Sequence, residues 1–364
     1  MAETIFLDFV RYALNPEVNA LPEMEGFDWQ GMFMFAEEQA ILGVVFEGVK
    51  KLGNQGIKPP FDILIQWIAV TEQIEGQNQK VNQTAKKLAD KLKGDGYHYC
   101  ILKGQGNALM YPQPLSRTPG DIDVWISDAK SKKENIRNVI RYVKKHHPEG
   151  RVIYHHTDFG ELDGVEVEVH HRPSFMSNPI HNRRLQKWCS SHARDQFCHE
   201  VDWQDGMGKV CVPTKEFNII FQLSHVYKHL LYEGVGLRQV IDYYYLLKSD
   251  GGIRSGDVEA DLQYLGLKRI AGAMMWVLHE ILGLEAQYLI APTEERLGKV
   301  FLSEILRGGN FGAYNPDNIK AVTRIKKNWQ RIVRDFRMIL YFPSECLWEP
   351  AFRLYHWFWR LIYN

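Results

Sequence analysis

Between Val165 and His170 the chain reads Val-Glu-Val-Glu-Val-His, a strict alternation of β-branched and polar side chains. A period of two belongs to a strand, because successive side chains leave opposite faces. Val165, Val167 and Val169 must therefore lie on a core while Glu166, Glu168 and His170 share the other surface; a slip of one residue would bury both carboxylates. An earlier segment obeys the same rule. Asp121 and Asp123 bracket Ile122, just after a proline-glycine turn and just before the apolar run Val124 to Ile126. On a strand those two carboxylates project from one face, about 7 Å apart along the chain.

These strands lie in the middle of a largely helical sequence. Phe6, Phe9, Val10 and Ala13 recur at helical steps, as do Phe33, Ala36, Ala40 and Ile41. The segment KLGNQGIKPP (51–60) interrupts them, and a long helix is predicted from about Phe61 to Lys93, stopped by Gly94-Asp95-Gly96. The pattern then becomes strand (97–102), short helix (104–110), strand (121–126) and amphipathic helix (132–145). Two further strands are expected at 151–156 and 165–171, joined by the turn-rich TDFGELDG. After Pro213 helices return at 216–231, 237–248, about 262–284 and 294–306, with a last pair beyond GGNFGAYNPDN. The domain reading is an N-terminal helical region (1–93), an α/β core (94–212) and a C-terminal helical domain (213–364).

Composition excludes several classes. Basic and acidic residues number 44 each, so no overall positive field makes nucleic acid an obligatory partner. The five cysteines are odd in number and lack a CxxC spacing, which argues against a disulfide framework or a cysteine zinc site and fits a reducing cytoplasm. The first residues carry acids early and do not read as a signal peptide, and no stretch approaches the ~18 uncharged residues of a membrane span.

Paired carboxylates at a strand end are a recurrent way to hold Mg²⁺, a hard cation that takes oxygen ligands and completes its shell with substrate phosphates. Two such ions, with Mn²⁺ an alternative, clamp the attacking and leaving oxygens of phosphoryl or nucleotidyl transfer. A third carboxylate from the VEVEVHH strand completes the set. Upstream, ILKGQGNALMY places Gly104 directly after a strand and at the start of a helix, where free N–H groups favour a phosphate and the absence of a side chain lets it approach. Lys103 and Arg117 are the cations nearest this turn, suited to neutralising a triphosphate or its pyrophosphate product.

The order of these elements resembles the DNA polymerase beta-like nucleotidyltransferase superfamily: an apolar residue with Gly-Gly or Gly-Ser, then Asp-apolar-Asp, then a later acid in a strand. More closely it is similar to a family of uncharacterised nucleotidyltransferases, through Leu102-Lys103-Gly104, Tyr111-Pro112, Arg117, Asp121-Ile122-Asp123 and Glu168-Val169-His170, with His225, His229 and the Leu237-Arg238…Asp242 run further on. The resemblance spans about Gly96 to Leu247. It implies an α+β fold with a nucleotidyltransferase-like mixed β-sheet core flanked by helical domains. It also implies that Asp121, Asp123 and Glu168 are the metal triad, with Glu168 helping to draw the acceptor's proton. Lys103, Gly104, Gln105 and Arg117 would hold a nucleoside triphosphate such as ATP. Gln105 stands where the superfamily has Ser or Gly, and fifteen residues (Gly106 to Gly120) separate it from Asp121, more than the usual gap. Glu166 competes with Glu168 for the third ligand, and Glu168 is chosen because it lies two before His170.

Other residues have competing readings. His170 is either a neighbour of the metal ligands or a satisfied strand histidine. His225 and His229, four apart on a helix, could hold zinc but lack a third ligand; with Lys228, Arg238 and Asp242 they more readily form a wall facing the site. Arg238 and Asp242 are also spaced for an intrahelical ion pair. The histidine pairs at 146–147 and 155–156 read as surface and edge-strand polarity. The aromatic tail, with Trp348, Phe352, Trp357, Phe358 and Trp359, is expected to pack against the helical domain. The resulting expectation is a metal-dependent nucleotidyltransferase acting on an acceptor that the sequence does not name, be it small molecule, sugar, protein or RNA. The alternative is a non-catalytic nucleotide sensor or scaffold of the same fold.

Overall fold

The computed structural model describes residues 2–15, 24–128, 134–203, 206–250, 255–314, 333–334 and 336–363. Its centre is a four-stranded sheet in the order β1-β2-β4-β3, made of β1 (Tyr97–Ile101), β2 (Ile122–Asp128), β3 (His156–Leu162) and β4 (Val165–His170). The β1–β2 and β3–β4 pairs are antiparallel and β2–β4 is parallel, so the sheet is mixed and the fold is α+β. The alternation read from the sequence holds. Ile122, Val124 and Ile126 join Val165, Val167 and Val169 in one apolar cluster, covered by Val81, Ala85 and Leu88 of α4 (Phe61–Gly94) and by Val139 and Val143 of α6 (Asn135–His146).

The opposite face carries Asp123 and Trp125 of β2, with Glu168 and His170 of β4. Trp125 stacks 5.7 Å from Phe217 of α8 (Lys215–Tyr232), so helices cover this face beyond the polar end. One larger core joins the start and the end of the chain: Phe9 of α1 (Ala2–Leu14), Phe33 of α2 (Trp29–Glu38) and Val45 of α3 (Leu42–Gly53) share it with residues of α8 and α9 (Leu237–Lys248). Cys100, Cys189, Cys211 and Cys346 are free and buried, and Cys198 is free and exposed.

Four differences from the sequence reading have local physical causes. Residues 151–155 lie outside the named strands, with a single bridge from Val152 to Thr157, and β3 instead occupies most of the segment expected to be a turn. The turn is Asp163-Gly164 alone, both at positive φ (51° and 70°), a two-residue connection whose twist matches the strands it joins. A helix was missed at α7 (Pro179–Cys198), although Asn178 caps it through Ile180 and His181 N–H groups and Pro179 opens it. The helix expected over 262–284 is broken: α10 (Ser255–Tyr264) closes with Leu267 N–H on the Leu262 carbonyl before α11 (Lys268–Trp276) begins. The last difference is the tail. In α12 (Pro343–Tyr363), Cys346 joins the core shared with α8 and α9 as expected, but Phe352 and Trp359 pack on Ile140, Val152, Tyr154 and Phe175, beside the sheet region, while Trp348, Trp357 and Phe358 are exposed. The start of the helix expected at 132 and most of the first of the final helix pair fall outside the described residues.

A buried polar junction ties α9 to the connection between β1 and β2. Arg117 donates to both oxygens of Asp242 (Nε to Oδ1 2.7 Å, a terminal nitrogen to Oδ2 2.8 Å), and Tyr111 Oη and Asn107 Nδ2 complete the carboxylate's shell at 2.6 and 3.2 Å. Burial alone would push the Asp242 pKa up, but the Arg117 guanidinium and the Tyr111 hydroxyl hold it below the usual range. Removing one partner of such a pair leaves an uncompensated buried charge. We predict that Asp242→Ala lowers stability by about 3–5 kcal/mol at neutral pH, read as a lower urea midpoint. Because the folded pKa is depressed, the pair's contribution is present above about pH 4 and is lost as pH falls through the folded value, so the gap between wild type and variant narrows in acid.

Candidate active site

Parallel pairing sets Asp123 directly beside Glu168 and Trp125 beside His170. Asp123 is 1% exposed, and each of its oxygens already has a positive or polar neighbour: Oδ1 lies 2.8 Å from His170 Nε2 and Oδ2 lies 3.1 Å from Lys103 Nζ. His170 Nε2 is also 3.5 Å from Glu168 Oε2. Ligand-capable atoms of Asp123, Glu168 and His170 lie within 4.8 Å of one another. Glu166 is exposed and stands opposite Glu161, away from Asp123.

Asp121 stands at the mouth of β2, outside that close group. The charge of Asp123, and then burial, push its pKa up to about 6. Burial would lower the Lys103 pKa, but Asp123, Asp121 and Glu168 together raise it, so the ammonium stays charged. Glu168 is also controlled by neighbours: burial pushes it up, and the imidazoles of His156 and His170 and the Lys103 charge outweigh this and hold it well below the carboxylate range.

Gly104 lies just beyond β1 at φ +57°, and a Cβ there would come 3.3 Å from the Asp121 carbonyl oxygen. The turn is therefore open only because no side chain occupies it. The helix that follows, α5 (Gln105–Ala108), is a single turn, so its dipole is small. Gln105 is buried and faces α4: its amide donates to Asn78 and to Asn82. Arg117 is committed to Asp242, and Asp242 pairs with it in preference to Arg238. Arg238 donates instead to the carbonyls of Thr118 (3.1 Å) and Pro119 (3.3 Å), and its buried Nε has no hydrogen-bond partner among the described residues. Burial, then the nearby Arg117 charge, push its pKa down to about 10, still cationic at neutral pH.

These groups converge on a cleft of about 40 Å³ lined by Lys103, Gly104, Asp121, Asp123, His225 and Arg238. His225 Nε2 is 3.3 Å from Lys103 Nζ, and its ring lies 4.2 Å from that of His229. Burial and the Lys103 charge keep His225 neutral by lowering its pKa. His229 is lowered to about 4 by burial, with Nδ1 2.8 Å from Glu233. Among the described residues neither joins a group of three metal-capable side chains.

The sequence reading missed His155, His156 and Asp158 and placed Lys228 in the wall facing the site. His155 and His156 are buried, not surface polarity, and His156 Nδ1 sits 2.8 Å from Glu168 Oε2. Lys228 of α8 lies 3.2 Å from His155 Nε2, and burial lowers its pKa to about 8. Asp158, opposite Glu168 in the β3–β4 register, is 3.3 Å from His156 Nε2. Once β3 is started at His156, its period of two points His156 and Asp158 at Glu168; placing the strand at 151–156 concealed this.

Among the described residues, no helix is long and apolar enough to cross a membrane. No curated protein matches the chain. A crystal structure of an antigenic nucleotidyltransferase-like protein from Paracoccidioides brasiliensis is 18% identical, with a TM-score of 0.33, over 60% of this chain and 96% of that one. The model of a family of uncharacterised nucleotidyltransferases matches residues 25–283, and the chain belongs to that family.

Proposed function

We propose that this chain moves a nucleoside monophosphate from a nucleoside triphosphate to an acceptor hydroxyl, with a divalent cation bound and pyrophosphate released. The observation that carries the reading is the alignment of Asp123 with Glu168 across two parallel strands, with Asp121 lining the same cleft as Asp123. The charge of Asp123, and then burial, push the Asp121 pKa up to about 6, so negative charge is in excess in this cleft. An oxygen-rich donor set with excess negative charge suits Mg²⁺ or Mn²⁺, with Asp121, Asp123 and Glu168 as ligands. When bound, such ions neutralise the triphosphate and polarise the attacking and leaving oxygens.

The chain's own residues have separate tasks. Lys103 supplies a fixed positive charge beside Asp123, and Gly104 leaves room for a phosphate next to it. Arg238, which among the described residues pairs with no carboxylate and has an unsatisfied Nε at the cleft, supplies a guanidinium for phosphate oxygens. Arg117 holds the wall in place through Asp242. Glu168, with its depressed pKa, orients an acceptor hydroxyl as a hydrogen-bond acceptor more readily than it stores a proton. The cleft admits phosphates; sugar and base then lie along its rim, since whole-ligand pockets run to about 300–1,000 Å³.

One observation favours a second reading, a nucleotide sensor without efficient transfer: both Asp123 oxygens already have partners in Lys103 and His170. Incubation with α-labelled nucleoside triphosphates, Mg²⁺ and a panel of acceptors separates the two. We expect pyrophosphate release with label passing to an acceptor, and loss of both in Asp123→Asn; undiminished transfer in that variant overturns the assignment. Triphosphate binding without pyrophosphate release selects the sensor.

Two further outcomes are expected. Because the folded-state pKa of Asp121 is raised, its charge opposes folding above about pH 6, and stability falls as pH rises through the interval from about 4 to 6. Asp121→Asn should therefore abolish transfer yet stabilise the metal-free protein at pH 7.5 by about 1 kcal/mol or more, seen as a higher melting temperature. Arg238→Met should weaken triphosphate binding by about 1.5–3 kcal/mol in calorimetry, the worth of hydrogen bonds to a charged group.

A further inference from the structure

Two residues beyond Asp123 on β2, Trp125 lines a second and larger cavity of about 910 Å³. Its other walls come from β1, the segment after β4, the start of α6 and one side of α7. Among the described residues it shares no lining side chain with the catalytic cleft. Whole small ligands occupy pockets of about 300–1,000 Å³, so this space takes an entire molecule, whereas the cleft of about 40 Å³ admits phosphates alone.

Part of the lining is aromatic. The ring centroids of Trp125 and Phe197 are 4.7 Å apart, and His98 of β1 stacks on Phe197 at 5.9 Å with 20° between the planes. Such ring surfaces favour another flat ring. Tyr154, His171 and Arg172 line it as well. Arg172 lies over the Tyr154 ring at 4.2 Å and donates to the Tyr154 carbonyl, two contacts that hold its guanidinium in place. His171 is 4% exposed, and its Nε2 is 3.0 Å from the same carbonyl. A carbonyl only accepts, so Nε2 carries the proton, and burial keeps the ring neutral by lowering its pKa. Nδ1 is therefore an acceptor, buried and without a hydrogen-bond partner among the described residues.

The charges of the lining select the ligand. Arg172 and Arg194 of α7 both border the cavity, and among the described residues neither pairs with a carboxylate. The one carboxylate among the described lining residues, Asp128, accepts from the Asn138 amide at 2.6 Å. We propose that this cavity binds a small planar aromatic acid, with its rings against Trp125, Phe197 and His98, its anionic group on Arg172 and Arg194, and a ring N–H donated to His171. A guanidinium already fixed on a tyrosine loses less freedom on meeting a carboxylate than a mobile one does. This site goes beyond the proposed function and does not depend on it, because none of its residues takes part in the transfer.

Calorimetry of the full-length protein with indole-3-carboxylate tests this. One equivalent is expected to bind, about tenfold or more tightly than the neutral indole-3-carboxamide, since the carboxylate alone gains charged hydrogen bonds. Ser190 borders the cavity from an exposed position on α7, and Ser190→Trp should fill the space and abolish binding with unchanged circular dichroism. Arg194→Gln, also at an exposed position, should weaken binding by about fivefold or more and serves should the tryptophan variant fail to fold. Arg238→Met, which alters only the catalytic cleft, should leave the affinity unchanged. No saturable binding, equal affinity for the carboxamide, or undiminished affinity in a folded Ser190→Trp or Arg194→Gln protein overturns the proposal. A loss caused by Arg238→Met also overturns it, because the probe then sits in the cleft.

Discussion

The site depends on one backbone alignment, the parallel pairing of β2 with β4 that brings Asp123 level with Glu168. Two carboxylates forced side by side in a buried place repel strongly unless cations or hydrogen-bond donors stand beside them. Here Lys103 and His170 do so for Asp123, and His156 and His170 do so for Glu168. Asp121 has less compensation, and its raised pKa marks the place where a further positive charge is most favourable. The valines on the other face make this arrangement rigid, because moving either strand by one residue would expose the core they form with α4 and α6.

The cations near the site divide by whether a carboxylate partner is in reach. Arg117 is buried against Asp242, where a bidentate pair with Tyr111 and Asn107 satisfies the carboxylate fully and joins α9 to the connection before β2. Among the described residues Arg238, one turn earlier on the same helix, donates to the Thr118 and Pro119 carbonyls and lies over the Phe311 ring, and its Nε has no hydrogen-bond partner. An unmatched guanidinium at a cleft is poised for an anion, whereas a matched one is a structural tie. Gln105 follows the same logic toward α4: its amide meets Asn78 and Asn82, and Asn78 in turn donates to the Leu115 and Arg117 carbonyls at 2.8 Å each. The long N-terminal helix thus braces the open glycine corner.

Much of the architecture was legible where a strong period coincided with a clear stop. The helix over 237–248, the start of the long helix at Phe61 and the alternating β4 strand all had both. The β3 strand was misplaced because its polar members, His156, Asp158 and Glu161, look like turn residues until a partner strand is known, and the true turn signal, Asp163-Gly164, is only two residues long. The α7 helix has scattered polarity, with Leu185, Trp188 and Cys189 buried and Phe197 packed on Trp125, so its cap at Asn178-Pro179 was a better guide than its period. The tail was expected on the helical domain, but its Phe352 and Trp359 fit against Tyr154, between α6 and β3, and Phe175, just after β4.

The sequence by itself determined which side chains share a face: a period of two puts Asp121 with Asp123 and Glu166 with Glu168 and His170, whatever surrounds them. It also determined that the corner at Gly104 is open. Only the tertiary structure decided which partners reach those faces, because ion pairs and hydrogen bonds form between residues far apart in the chain. Arg117 meets Asp242 across 125 residues, Lys103 meets His225 across 122, and His170 meets Asp123 across 47. Electrostatic attraction falls with distance in space and is indifferent to distance along the chain, so no local pattern could assign Arg117 to a wall, leave Arg238 at the cleft, or bring His156 to Glu168.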